Sequence, residues 1–121
     1  MELSVGMYVR TKRGIAKVKS MYVEPNQYIV YTDKDITFEY YLNNKSEWVA
    51  DYCDGYSFDI TDLLQVGDYV NGYKVFEKDD YLWIERLDNH EIPHFTRLDY
   101  LDIKSIVTKE QFESMSYKVG E

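Results

Sequence analysis

Leu3-Ser4-Val5-Gly6-Met7-Tyr8-Val9 returns half a chain later as Leu64-Gln65-Val66-Gly67-Asp68-Tyr69-Val70. A repeat at fixed spacing decides whether a chain builds one core or two. Its physical content is a sharp bend at glycine, which has no Cβ to obstruct it, leading straight into a strand. A Gly-containing turn follows each copy, and then Lys17-Val18 in the first and Lys74-Val75 in the second. The reading is two related β units, residues 1–61 and 62–121. Units of about 60 residues are marginal alone, so they are expected to pack on each other. Val-Gly-x-Tyr-Val is also an ordinary strand opening, and chance recurrence is the competing account.

Outward from these copies the pattern stays β. Val5, Met7 and Val9 alternate with Gly6, Tyr8 and Arg10. Ala16, Val18, Met21 to Val23, Tyr28 to Tyr31, Ile36 to Tyr40 and Trp48 to Tyr52 continue it. Alternation with period two reads as half-buried strand. The breaks carry turn chemistry at Glu24-Pro25-Asn26-Gln27, Asp33-Lys34-Asp35, Asn43-Asn44-Lys45 and Asp54-Gly55. The strongest is Asn71-Gly72, where both residues tolerate the positive φ of a type I′ hairpin. Thr108 and Gln111 have capping-box spacing and predict one short helix over 109–116, with Phe112 and Met115 on its buried face. A shorter turn at Thr61 would bring Leu63 and Leu64 inward. The expected fold is all-β and mainly antiparallel, with two packed SH3-like small barrels and one short C-terminal helix.

Composition limits the function. The 121 residues hold 14 Lys and Arg against 22 Asp and Glu, a formal charge of −8. No broad basic face for direct nucleic-acid binding is expected. Aromatics make up 17%, with 13 tyrosines, which is too much for a disordered chain. The longest uncharged stretch runs only from Pro25 to Thr32, far short of the roughly 20 residues of a membrane helix. The opening MELSVGMYVR has no apolar run of a signal peptide. A single cysteine, Cys53, suits a reducing cytosol. A cytoplasmic protein is expected.

Charge is uneven. Arg10, Lys12, Arg13, Lys17 and Lys19 face only Glu2 in the first 19 residues, whereas residues 20–62 hold nine acids against Lys34 and Lys45. Two candidate surfaces follow. One is an acidic and aromatic partner surface of Asp33, Asp35, Glu39, Glu47, Trp48, Asp51, Asp54 and Tyr56. It would meet a basic groove meant for nucleic acid, with the aromatics as anchors. The other, an alternative, is a phosphate or nucleotide site of Arg10, Lys12, Arg13 and Arg97 with Tyr8 or Trp83 stacking on a base. The plain reading of both is a solvated surface whose net charge keeps the protein dispersed. In small barrels the aromatics near the first hairpin commonly bind, which singles out Tyr8 and Tyr69.

Catalytic constellations are weak. His90-Glu91-Ile92-Pro93-His94 matches a zinc-peptidase helix motif, but Pro93 falls inside it and no third ligand is in sight. The segment reads as a loop crossing. Cys53 has acidic neighbours, which disfavour a thiolate nucleophile. The six glycines are scattered and form no phosphate-cradling loop. No enzyme activity, metal or cofactor is expected.

The blocks VGMYVRTKRGIAKV (5–18), DLLQVGDYVNGYKV (62–75) and IKSIVTKEQFESMSYKVGE (103–121) resemble a group of small proteins. These are mostly uncharacterised and are encoded by phages and prophages of Gram-positive gut bacteria. The resemblance transfers no site residue. It implies a setting in which small acidic proteins often inhibit host defence, as anti-CRISPR proteins block a nuclease. The leading expectation is therefore a non-enzymatic, anti-defence protein that binds and occludes a host defence protein in the host cytosol, as an acidic nucleic-acid mimic. One alternative is a homo-oligomeric sponge for a nucleotide immune signal. Another is a phage structural or assembly adaptor.

Overall fold

The computed structural model describes residues 3–87 and 93–115. The chain divides into two compact units, Met1–Leu63 and Leu64–Glu121. The fold is antiparallel β in two sheets with one short C-terminal helix.

The first unit holds β1 (Tyr8–Thr11), β2 (Gly14–Glu24), β3 (Gln27–Thr32), β4 (Thr37–Leu42), β5 (Trp48–Val49) and β6 (Gly55–Ser57), then a 3-10 turn, Ile60–Leu63. Strand order is β5-β4-β3-β2-β1-β6. After the meander β6 returns to pair with β1, which leaves β5 and β6 as the edges of a curled half-barrel of SH3-like strand order. The sheet curls because β2 serves both halves. Its register slips between Val18 and Ser20, so its first part pairs with β1 and its second with β3. Such an irregularity bends a strand and sharpens its twist. Leu3, Val9, Ala16, Val18, Val30, Ile36, Phe38 and Tyr40 form the core. Each large aliphatic there contributes about 1.5–3 kcal/mol on burial.

The second unit repeats the scheme with β7 (Tyr69–Val70), β8 (Tyr73–Lys78), β9 (Tyr81–Leu87), β10 (Pro93–Arg97) and β11 (Ile106–Val107) in the order β10-β9-β8-β7-β11. A second 3-10 turn, Leu98–Tyr100, precedes β11, and α1 (Lys109–Met115) follows it. Leu64, Val70, Val75, Ile84 and Leu98 are buried.

The two sequence copies open their units with the same hydrogen bonds. Gly6 N–H donates to Val18 O at 2.9 Å, and Gly67 N–H to Val75 O at 3.1 Å. Met7 N–H meets Ser4 O, and Asp68 N–H meets Gln65 O. Gly6 and Gly67 have φ of +94° and +96°, a conformation that a side chain strains. Leu3 and Leu64 are both buried, and Val5 and Val66 both exposed. One difference stands out. The Ser4 N–H is capped by the soft Met7 Sδ at 3.3 Å, whereas the Gln65 N–H is capped by the Asp68 carboxylate at 2.7 Å.

The turn at Asn71-Gly72 has φ of +53° and +86° between the paired Val70 and Tyr73, as the type I′ reading requires. The capping box at α1 is reciprocal: Gln111 N–H donates to Thr108 Oγ1, and Thr108 N–H to Gln111 Oε1. Three expectations need correction. Phe112 and Met115 are 47% and 68% exposed, so α1 has no buried face there; the Phe112 ring instead stacks on Tyr69. Only Trp48 and Val49 of the 48–52 run are strand. His94, expected in a crossing loop, lies in β10 opposite Arg86, with Pro93 at the first strand position, where no ladder N–H is required. His90, Glu91 and Ile92 lie outside the described residues, as does Ser116 of the expected helix. No helix among the described residues is long and apolar enough to cross a membrane.

Candidate functional site

Period two on β4 separates its residues by face. Phe38 and Tyr40 point into the core, and Glu39 and Tyr41 point out. Glu39 pairs with Ile29 of β3, which stands outward beside it. The segment after β5 brings Asp51 and Tyr52 to the same place. A pocket of about 460 Å³ results, lined by Ile29, Thr37, Glu39, Tyr41, Asp51 and Tyr52 among others. The Tyr41 hydroxyl donates to Asp51 Oδ2 at 2.7 Å. That bond raises the Tyr41 phenol above its ordinary range, followed by partial desolvation and the charges of Asp51 and Glu39. Tyr41 therefore stays a neutral donor, and its ring is held in place. Tyr52 is 73% exposed. The pocket joins two carboxylates to two phenol rings, the surface chemistry that receives a cation.

Of the expected acidic surface, only Glu39 and Asp51 line this pocket. Asp33 and Asp35 sit in the β3–β4 turn, where Asp33 Oδ1 accepts the Lys17 N–H. Glu47 is in the β4–β5 turn, with its N–H on Asn43 Oδ1. The exposed Asp54 starts the approach to β6, its N–H on Arg10 O. Tyr56 on β6 is 37% exposed. Trp48 is half-buried, its ring 5.3 Å from both Tyr28 and Tyr40, so part of it packs against the core, and it does not line this pocket. The tyrosines that line it are Tyr41 and Tyr52. The signal for Tyr41 was present, an outward Tyr on the strand that also carries Glu39, whereas Tyr52 lies in the turn after β5.

The alternative phosphate set is also redistributed. Arg10 is 1% exposed, and its Nη1 donates to Leu63 O at 2.9 Å; it is structural, not a surface ligand. Lys12 and Arg13 are exposed in the β1–β2 turn. Tyr8 is half-buried with Lys17 Nζ 5.7 Å from its ring. In the second unit, Arg97 is engaged by its own neighbours: its Cζ lies 3.5 Å from the Tyr81 ring centroid and 5.1 Å from that of Tyr100, and Nη2 pairs with Asp99. Trp83 is half-buried and donates its indole N–H to Lys78 O. Phe95 is 57% exposed on the outward face beside it.

Among the described residues, no group of three or more His, Cys, Asp or Glu is placed to hold a metal ion. The Cys53 thiol donates to Gly55 O at 3.0 Å. Burial pushes the thiol up, and the Asp54 charge adds to it. Alkylation of Cys53 by iodoacetamide at pH 8 is expected to run at least about tenfold slower than that of free cysteine, since the thiolate reacts. An equal rate, followed by mass spectrometry, would refute this reading. No family model, curated protein or solved structure matches the chain.

Proposed function

We propose that this chain is a non-enzymatic binding protein of the phage-borne type that it resembles, acting by stoichiometric occlusion of a host defence protein that handles nucleic acid. The supporting observation is the pocket on the outward face of β3 and β4, where Glu39 and Asp51 stand with Tyr41 and Tyr52. Tyrosine gives wide contact area at low entropic cost, and carboxylates beside it favour a basic partner. The other acids of the first unit add a diffuse negative field that steers such a partner without touching it. Burial of Arg10 takes the central cation away from the nucleotide-sponge alternative.

Co-expression with a defence nuclease is expected to protect an infecting phage, and the nuclease is expected to co-purify with this chain. Binding should weaken at least about tenfold between low salt and about half-molar salt, because exposed charges are screened within a few ångströms there. Affinity independent of salt would overturn the electrostatic reading. Recovery of phage structural proteins instead would favour the assembly adaptor.

A further inference from the structure

We infer that the pocket on β4 is a receptor for one arginine side chain presented by the partner. This inference rests on the binding reading above and names the group that the pocket takes. Three observations lead to it. The pocket is lined by Glu39 and Asp51 together with Tyr41 and Tyr52, and among the described residues no lysine or arginine lines it. Among the described residues, neither carboxylate makes an ion pair within the chain; Asp51 Oδ2 takes the Tyr41 hydroxyl, and Glu39 stands exposed. The second unit contains the completed form of the same chemistry. There the Arg97 guanidinium sits over the Tyr81 ring, near Tyr100, and bonds to Asp99, so two phenols and one carboxylate hold one guanidinium. The first unit has two phenols and two carboxylates with the cation still to be supplied.

The geometry favours arginine over lysine. Asp51 has one oxygen engaged, so Oδ1 and the Glu39 carboxylate are separate acceptors. A planar guanidinium donates in a fork to acceptors set apart while its face stacks on a phenol ring; an ammonium does only the first. Tyr41 is fixed by its bond to Asp51, so part of the ordering cost precedes binding. The rest of the β3–β4 face, with Ile29 in the floor, suits the aliphatic stem of the side chain.

The test uses the full chain and a blocked pentapeptide, acetyl-Ala-Ala-Arg-Ala-Ala-amide, with Lys and Ala versions as controls. Tyrosine ring shifts are followed by NMR. The arginine peptide is expected to move the Tyr41 and Tyr52 signals with millimolar affinity, the lysine peptide to bind about fivefold or more weakly, and the alanine peptide not to bind. Glu39→Gln and Asp51→Asn together should lower arginine affinity at least about tenfold while circular dichroism and melting stay near wild type. Equal shifts from all three peptides, or arginine shifts unaffected by the double variant, would overturn the inference. The double variant is also tested for phage protection. Protection by the wild type without arginine binding would refute the pocket and leave occlusion standing. Arginine binding without protection would refute occlusion and leave the pocket standing.

Discussion

Arg10→Ala is expected to destabilise the first unit by about 4 kcal/mol, a large share of the roughly 5–15 kcal/mol that holds a protein of this size folded. Arg10 is among the largest fully buried side chains, so alanine leaves a cavity. It also removes the donor to Leu63 O, which spans 53 residues and ties the 3-10 turn Ile60–Leu63 to β1. A buried carbonyl left without its donor costs about 1–3 kcal/mol. Arg10→Met restores most of the volume but not the hydrogen bond, and should cost less than half as much. Urea unfolding followed at Trp48, in the same unit, separates these variants. A loss under about 1 kcal/mol for alanine would show that the turn is held by packing alone.

The second large effect is expected at Asp68, a carboxylate with 0% exposure. Its Oδ2 accepts the Gln65 N–H at 2.7 Å and its Oδ1 the Lys109 N–H at 2.9 Å. One side chain thus closes the entry turn of the second unit and holds the first residue of α1. Charge-assisted bonds to backbone donors contribute about 1.5–3 kcal/mol each. Asp68→Ala should therefore cost about 3–4 kcal/mol, read at Trp83. Asp68→Asn should fall between, because an amide offers one oxygen for two N–H donors. Met7→Ala, at the matching place in the first unit, loses only a weak sulfur acceptor and some packing, about 1–2 kcal/mol. Equal losses at Met7 and Asp68 would contradict the assignment of the cost to the carboxylate.

The sequence carries the frame better than the surface. The doubled Val-Gly opening, the Asn71-Gly72 turn and the Thr108–Gln111 box are local signals, each met by residues a few positions away. Asp79-Asp80, a hairpin turn with φ of +54° and +67°, reads in sequence as charge, although Asp tolerates the left-handed region. The strand Pro93–Arg97 is hidden by its proline, which sits harmlessly at the first position. Arg10 fails for a non-local reason. Alternation places it opposite Val9 and so outward, but a turn more than 50 residues on covers that side. The site divides in the same way. Glu39 and Asp51 stand out in the sequence as acids, whereas their meeting beside Tyr41 depends on where the chain runs after β5. Trp48 reads as a surface anchor until Tyr28 and Tyr40 are seen around it.

The repeated opening has one last consequence. Among the described residues, the bonds that open the two units run through Ser4, Gly6, Met7 and Val18 in one and Gln65, Gly67, Asp68 and Val75 in the other, away from the outward positions of β3, β4, β9 and β10. Glu39 and Tyr41 occupy those positions in one unit, Phe95 and Arg97 in the other. Exchanging them would rewrite recognition while sparing the chassis, so a library varied there, with Gly6 and Gly67 kept, offers an affinity reagent with a variable face on each unit.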